Sequence, residues 1–136
     1  MGKLRYTLLQ FGLIASLLSQ YAMADDATLT VDEQSAAVVA QVYRGFANGD
    51  MAGILALMSD DVDWIHPGHG DIPFAGTYKG KQGVQDFFEN AFKHLDVVDQ
   101  QVFDFLVKGD RVAALGSEKM RVKMTGREYE SNWIHL

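Results

Sequence analysis

The 136-residue chain has no cysteine. Disulfides are therefore excluded, and with them a lipid-attachment cysteine and any thiolate metal site. Stability must come from packing alone, which is feasible for a domain of about 110 residues. Basic residues are also few: 12 Lys and Arg stand against 18 Asp and Glu, a net charge of −6. So acidic a chain is poorly matched to nucleic acid or to anionic lipid, both of which call for a basic surface. No internal repeat, linker or low-complexity segment interrupts it.

A bilayer-spanning run is missing as well. The apolar stretch Tyr6–Leu18 is uncharged and rich in Leu, Ile and Phe, but a spanning helix takes about 20 such residues. Lys3 and Arg5 precede it, and Ala22-Met23-Ala24 follows with small residues where a signal peptidase reads. Residues 1–24 thus read as a secretory signal peptide cut before Asp25, in preference to a membrane anchor. The mature protein is expected to be secreted or periplasmic, with no membrane contact after cleavage. Cleavage removes two of the 12 basic residues and none of the 18 acidic ones, so the mature net charge is −8.

What remains reads as a flexible N-terminus over 25–31 and one domain over 32–136. Thr30 and Glu33 have capping-box spacing, which starts a helix near Asp32 or Glu33. Val39, Val42, Tyr43 and Phe46 form its apolar stripe, and Asn48-Gly49 stops it. Asp50 caps a short second helix whose buried face is Met51, Ile54, Leu55 and Met58. Val62, Trp64 and His66 alternate with Asp61, Asp63 and Ile65 as a strand. Residues 67–80 read as a loop rich in Gly and Pro. A third helix follows, with Val84, Phe87, Phe88, Ala91 and Leu95 on its inner face. The period then changes to two. Phe103, Phe105 and Val107 share a strand face, Val112–Met124 is a long strand, and a further strand starts at Arg127. Helices followed by antiparallel hairpins predict an α+β fold, with a curved sheet around the N-terminal helices.

From Glu33 to Leu136 the chain resembles the SnoaL-like group of the nuclear-transport-factor-2 and ketosteroid-isomerase superfamily. The residues that carry the resemblance are Val42–Asp50, Asp60-Asp61-Val62-Asp63-Trp64, Pro67-Gly68 and Pro73-Phe74-Ala75-Gly76. Gly80 and Gly83 then lead into the helix of Phe87-Phe88. The resemblance implies a cone-shaped α+β barrel with an apolar pocket, often dimeric through its outer sheet face. It implies no single reaction, because the family includes steroid isomerases, polyketide cyclases, dehydratases, epoxide hydrolases and non-catalytic binding proteins. Alignment to the steroid isomerases puts Val42 at their tyrosine donor, His66 at their aspartate base and Trp133 near their second acid, which argues against that chemistry. Family members also continue through an Asp-Gly turn into one more strand. The last strand is therefore expected to be missing from this sequence, leaving an edge that a partner chain could cover.

Two residues stand out as catalytic candidates. His66 is on the inward face beside Val62 and Trp64, and an imidazole exchanges protons near neutral pH without a large shift. The alternative is a buried histidine satisfied by one hydrogen bond. Glu118 is the one charged residue among Val112, Ala114, Gly116, Met120, Val122 and Met124, where burial would raise its pKa. A β-bulge at Gly116-Ser117 would instead turn it to solvent. Trp64, Phe74, Tyr78, Tyr129, Trp133 and His135 are expected to line the pocket and bind ligand. His66-Pro67-Gly68-His69-Gly70-Asp71 invites a metal reading, but it has no third histidine, so no metal is expected. Lys119, Arg121 and Lys123 form a basic row on the opposite sheet face.

Three functions compete. The first is a cofactor-free isomerase-, cyclase-, dehydratase- or hydrolase-type enzyme acting on a small hydrophobic ring-containing molecule, with His66 moving the proton. The second is a module that binds such a molecule without changing it. The third is an interaction domain that pairs through its sheet, with a homodimer expected.

Overall fold

A computed structural model describes residues 29–136. The expected signal peptide and residues 25–28 of the N-terminal segment lie outside the described residues. Helix α1 spans Val31–Asn48 and α2 spans Met51–Ala56. Strands β1 (Asp63–His66) and β2 (Gly76–Lys79) pair as an antiparallel hairpin. Helix α3 (Gly80–His94) leads into β3 (Leu95–Lys108), β4 (Arg111–Val122) and β5 (Glu128–His135). These three strands form an antiparallel sheet in the order β3-β4-β5, separate from the hairpin and not closed into a barrel.

Local chemistry sets the helix ends. The Thr30 hydroxyl accepts from the Glu33 amide at 3.3 Å, while the Glu33 carboxylate accepts from the Thr30 amide at 2.8 Å. Two amides that the helix cannot satisfy itself are thus paired. Gly49 ends α1 with a left-handed φ of 68°, and the Asp50 carboxylate caps α2 through the Gly53 amide at 2.9 Å. Along α1 the fully buried residues are Ala36 and Ala40. The larger stripe of Val39, Val42, Tyr43 and Phe46 is half-buried; Tyr43 reaches Phe105 of the sheet and Phe46 reaches Phe88 of α3.

The core is built on α3. Val84, Phe87, Phe88 and Ala91 are buried and pack against Phe46, Met51, Leu55, Val62, Trp64, Phe74 and Tyr78. Phe87 is the hub, with ring centroids 5.1 to 5.5 Å from those of Phe88, Tyr78, His66 and Trp64.

The structure departs from the sequence reading at several places. Strand β2 lies inside the expected 67–80 loop; its four residues pair Trp64 with Tyr78 and His66 with Gly76. Leu95 leaves α3 and opens β3 opposite Val122. The Lys123 amide binds the His94 carbonyl at 2.9 Å, so sheet pairing captures the end of the helix. Strand β4 stops at Val122 because the Gly126 amide closes a turn onto the Val122 carbonyl, which leaves Met124 91% exposed. The register shifts fall on β3, between Val97 and Asp99 and between Val102 and Asp104, and not at Gly116-Ser117. The second shift separates Phe103, now exposed, from half-buried Phe105 and Val107. Bulges bend a strand and increase its twist, so β3 is the strand that curves the sheet over the helices.

Candidate functional site

Alternation along β4 places Ala114, Gly116, Glu118 and Met120 on the face toward α1. Register then brings β5 alongside: His135 opposite Ala114, Trp133 opposite Gly116, Ser131 opposite Glu118 and Tyr129 opposite Met120. Gly116 is needed here. A Cβ at that position would collide with the Gln101 carbonyl oxygen and with the benzo edge of Trp133. Glycine thus lets the indole lie across the strand. Gly116→Ala is expected to destabilise the domain by about 1–3 kcal/mol, the range for overpacking a filled site. Urea unfolding checks this; a loss below a few tenths would mean that Trp133 moves aside freely.

Against this face stands Tyr43 of α1. Its ring is parallel to Trp133 at 5.6 Å and to His135 at 6.1 Å, and Trp133 stacks on His135 at 4.1 Å. The Tyr43 hydroxyl lies 2.8 Å from His135 Nδ1. Burial drives the Tyr43 pKa far up, so this phenol keeps its proton. Trp133 Nε1 is buried with no hydrogen-bond partner among the described residues.

Glu118 is half-buried, and its carboxylate accepts from the Ser131 hydroxyl at 3.2 Å. Burial raises its pKa, and the Ser131 hydrogen bond offsets part of that rise. The neighbouring Tyr129 is raised by burial first and by the Glu118 charge second. A carboxyl whose folded pKa is raised holds its proton longer than in the unfolded chain. Its contribution is complete at low pH and is lost as pH climbs through the raised value. Glu118→Gln should therefore melt at a higher temperature than the wild type at neutral pH. The gap should close as pH falls below the ordinary glutamate value of about 4.3. Equal melting temperatures at both pH values would show that the Glu118 carboxylate is fully solvated.

His66 sits at the end of β1, half-buried, with ring centroids 5.2 Å from Phe74 and 5.4 Å from Phe87. Burial lowers its pKa below 6.5. The His135 pKa is lowered by burial first and then by charge on His66. Trp64 and Tyr78 flank the same region, and the Tyr78 hydroxyl donates to the Phe74 carbonyl at 3.1 Å.

The predicted residues thus fall into two groups. Trp64, His66, Phe74 and Tyr78 gather around Phe87 of α3, while Glu118, Tyr129, Trp133 and His135 share the inner sheet face. Glu118 and His66 share no hydrogen bond among the described residues. Tyr43 joins the site although the sequence places it only in an apolar stripe. The one signal for it was a phenol among aliphatic neighbours. Among the described residues no three His, Asp or Glu side chains cluster as a metal site, and no helix is long and apolar enough to cross a membrane. The basic row on the outer face is paired: Lys119 with Glu128 and Glu130, Arg121 with Glu128 and Lys123 with Asp96.

An open antiparallel sheet over helices, with polar groups gathered on its concave face, defines the nuclear-transport-factor-2-like class of α+β proteins. Within it, the chain belongs to the SnoaL-like domain family, whose profile matches residues 39–136. The structure is similar to that of an NTF2-like protein from Burkholderia xenovorans LB400, at 28% identity over 76% of this chain and 77% of that one, with a TM-score of 0.68. It is also similar to an NTF2-like protein of unknown function from Burkholderia pseudomallei K96243, at 25% identity over 79% of each chain, TM-score 0.66. A third likeness is to TerC co-crystallised with polyporic acid, at 27% identity over 74% of this chain and 78% of that one, TM-score 0.64. No curated protein matches the chain.

Proposed function

We propose that this protein is a cofactor-free enzyme that moves a proton on a small hydrophobic ring compound, with His66 as the base. The observation that carries the reading is His66 itself: an imidazole packed against Phe74 and Phe87 and kept neutral by burial. A neutral imidazole can take a proton near pH 7. Aromatic walls suit a flat apolar substrate, and the likeness to TerC, crystallised with polyporic acid, supports that substrate class. Trp64, Phe74 and Tyr78 hold the ring on one side, and Tyr129, Trp133 and His135 on the other. Glu118, protonated more readily than an ordinary glutamate, assists as an acid.

Solvent-deuterium exchange into cyclic ketones and phenols tests this without knowledge of the natural substrate. The wild-type protein should catalyse exchange and His66→Ala should not. Equal exchange by both would remove His66 from the chemistry. A second reading, a module that binds such molecules without turnover, is favoured by the separation of Glu118 from His66. It predicts ligand binding by both proteins and exchange by neither.

In the same reading the mature chain starts at Asp25 and works outside the cytoplasm, on the strength of the signal-like segment. It pairs as a homodimer through the outer sheet face. Support for pairing comes from Leu106, Leu115 and Ile134, which gather at one end of that face; Leu106 is 58% and Ile134 66% exposed.

A further inference from the structure

We propose that Gln100 is a specificity-determining residue: with Glu118 it sets a donor beside an acceptor on the concave sheet face, and the pair selects ring compounds that carry a hydroxyl. The proposal rests on the reading of a small ring compound as the ligand, and it adds the polar group which that compound carries.

Sheet register places the pair. Gln100 of β3 is opposite Glu118 of β4, and Ser131 of β5 is opposite Glu118 on its other side. Directly opposite residues share a sheet face. The outer face accounts for the neighbours of Gln100. Gln101 donates to the Asp99 carboxylate at 3.0 Å, and Asp99 is opposite Lys119 of the basic row. Gln100 between them therefore points to the concave side. Alternation counted back from Phe105 would turn Gln101 inward instead. The register shift between Val102 and Asp104 is what brings Gln100 there.

The row that results is polar between two apolar ones. Val102, Gly116 and Trp133 lie on one side of it, and Val97, Met120 and Tyr129 on the other. Gln100 and Glu118 are half-buried and Ser131 is exposed, so the row opens at β5. Gln100 and Glu118 make no hydrogen bond to each other among the described residues, so the carboxamide is not there to hold the carboxylate. Polar groups set into an apolar surface cost free energy unless they are paired. Water can serve both groups in the free protein. A ligand that displaces it without loss must reproduce both hydrogen bonds.

That requirement names the group. Ser131 donates to Glu118 Oε1 at 3.2 Å, which leaves Oε2 for a ligand. The Gln100 carboxamide supplies N–H donors. A hydroxyl donates and accepts at one oxygen, so it can give its proton to Glu118 Oε2 and accept from Gln100 Nε2. It also fits Glu118 when the carboxyl is neutral, because its oxygen then accepts from both side chains. A methyl group offers neither bond, and a ligand carboxylate meets the charge of an ionised Glu118.

The test compares 2-naphthol with 2-methylnaphthalene, two rings of nearly equal size, on the full mature protein. A site with apolar walls alone favours the methyl compound, which water holds less well. The wild type should bind 2-naphthol more tightly, and the side-chain amide signals of Gln100 in a proton–nitrogen NMR spectrum should move with 2-naphthol and stay with 2-methylnaphthalene. Gln100→Leu keeps the bulk and removes the amide. It should weaken 2-naphthol by about fivefold, the value of one ordinary hydrogen bond, and leave 2-methylnaphthalene unchanged or tighter. A wild type that favours the methyl compound, or a Gln100 amide that ignores 2-naphthol, would overturn the proposal and leave the ring-binding reading standing. Binding of neither compound would remove both. The wild-type comparison decides the matter even if Gln100→Leu fails to fold.

Discussion

Replacing His66 with alanine is expected to cut turnover about 10²–10⁴-fold, the contribution typical of a positioned general base. The imidazole lies against Phe74 and Phe87 at the end of β1, and alanine leaves both rings in place. Ligand affinity should therefore change little while kcat falls. The pH profile carries a second expectation. A base must be unprotonated, and burial lowers the His66 pKa below 6.5. The wild-type rate should rise with pH and level off at a lower pH than a free imidazole would give. A midpoint at or above about 6.5 would mean that a less buried group is the base. Stability follows the same sign. A histidine with a lowered folded pKa contributes fully above its unfolded value, and that contribution is lost as pH falls through the folded one. His66 and His135 both act in this direction. The protein should lose stability as pH drops below about 6.5, and His66→Ala should lose less.

Phe87→Ala is expected to cost about 3–5 kcal/mol, the range for removing a buried phenylalanine. Phe87 is 7% exposed and its ring meets Trp64, His66, Phe74, Tyr78 and Phe88. Its loss opens a cavity where the β1-β2 hairpin joins α3. His66 then loses one of its two aromatic neighbours, so its pKa should move back toward 6.5. The denaturation midpoint should fall with an unchanged slope, since the surface exposed on unfolding changes little. A loss under about 1 kcal/mol would mean that the hairpin collapses onto the gap and that Phe87 is not the hub.

The two sites differ in how well the sequence announced them. His66 follows an alternating run, Val62-Asp63-Trp64-Ile65-His66, and the observed β1 ends on it. Phe87-Phe88 lies at helical spacing from Val84 and Ala91, and all four are buried on α3. Thr30 with Glu33 and Asn48-Gly49 mark the ends of α1 through backbone hydrogen bonds made by the residues themselves. Such signals are local, which is why they can be read.

What escaped reading depends on distant partners. Strand β2 has only four residues, and only its pairing with β1 distinguishes it from the surrounding loop. Leu95 fits a helical stripe, yet strand pairing opposite Val122 claims it. The bulges belong to β3 because β4 pairs with β5 without a shift, and no composition cue at Phe103 reveals that. Tyr43 lies 92 residues from His135 along the chain, so their hydrogen bond exists only once α1 crosses the sheet. Family resemblance placed the fold but pointed to Val42; the phenol one residue later is the group that reaches the site.

The proposed function makes His66 a neutral, partly buried base facing a space that accepts ring compounds. The most direct measurement is an NMR titration of His66 in protein starting at Asp25, alone and with a panel of apolar ring compounds. The expected result is a midpoint below 6.5 that shifts again when a compound binds. A midpoint at the free value, unmoved by every compound, would contradict it.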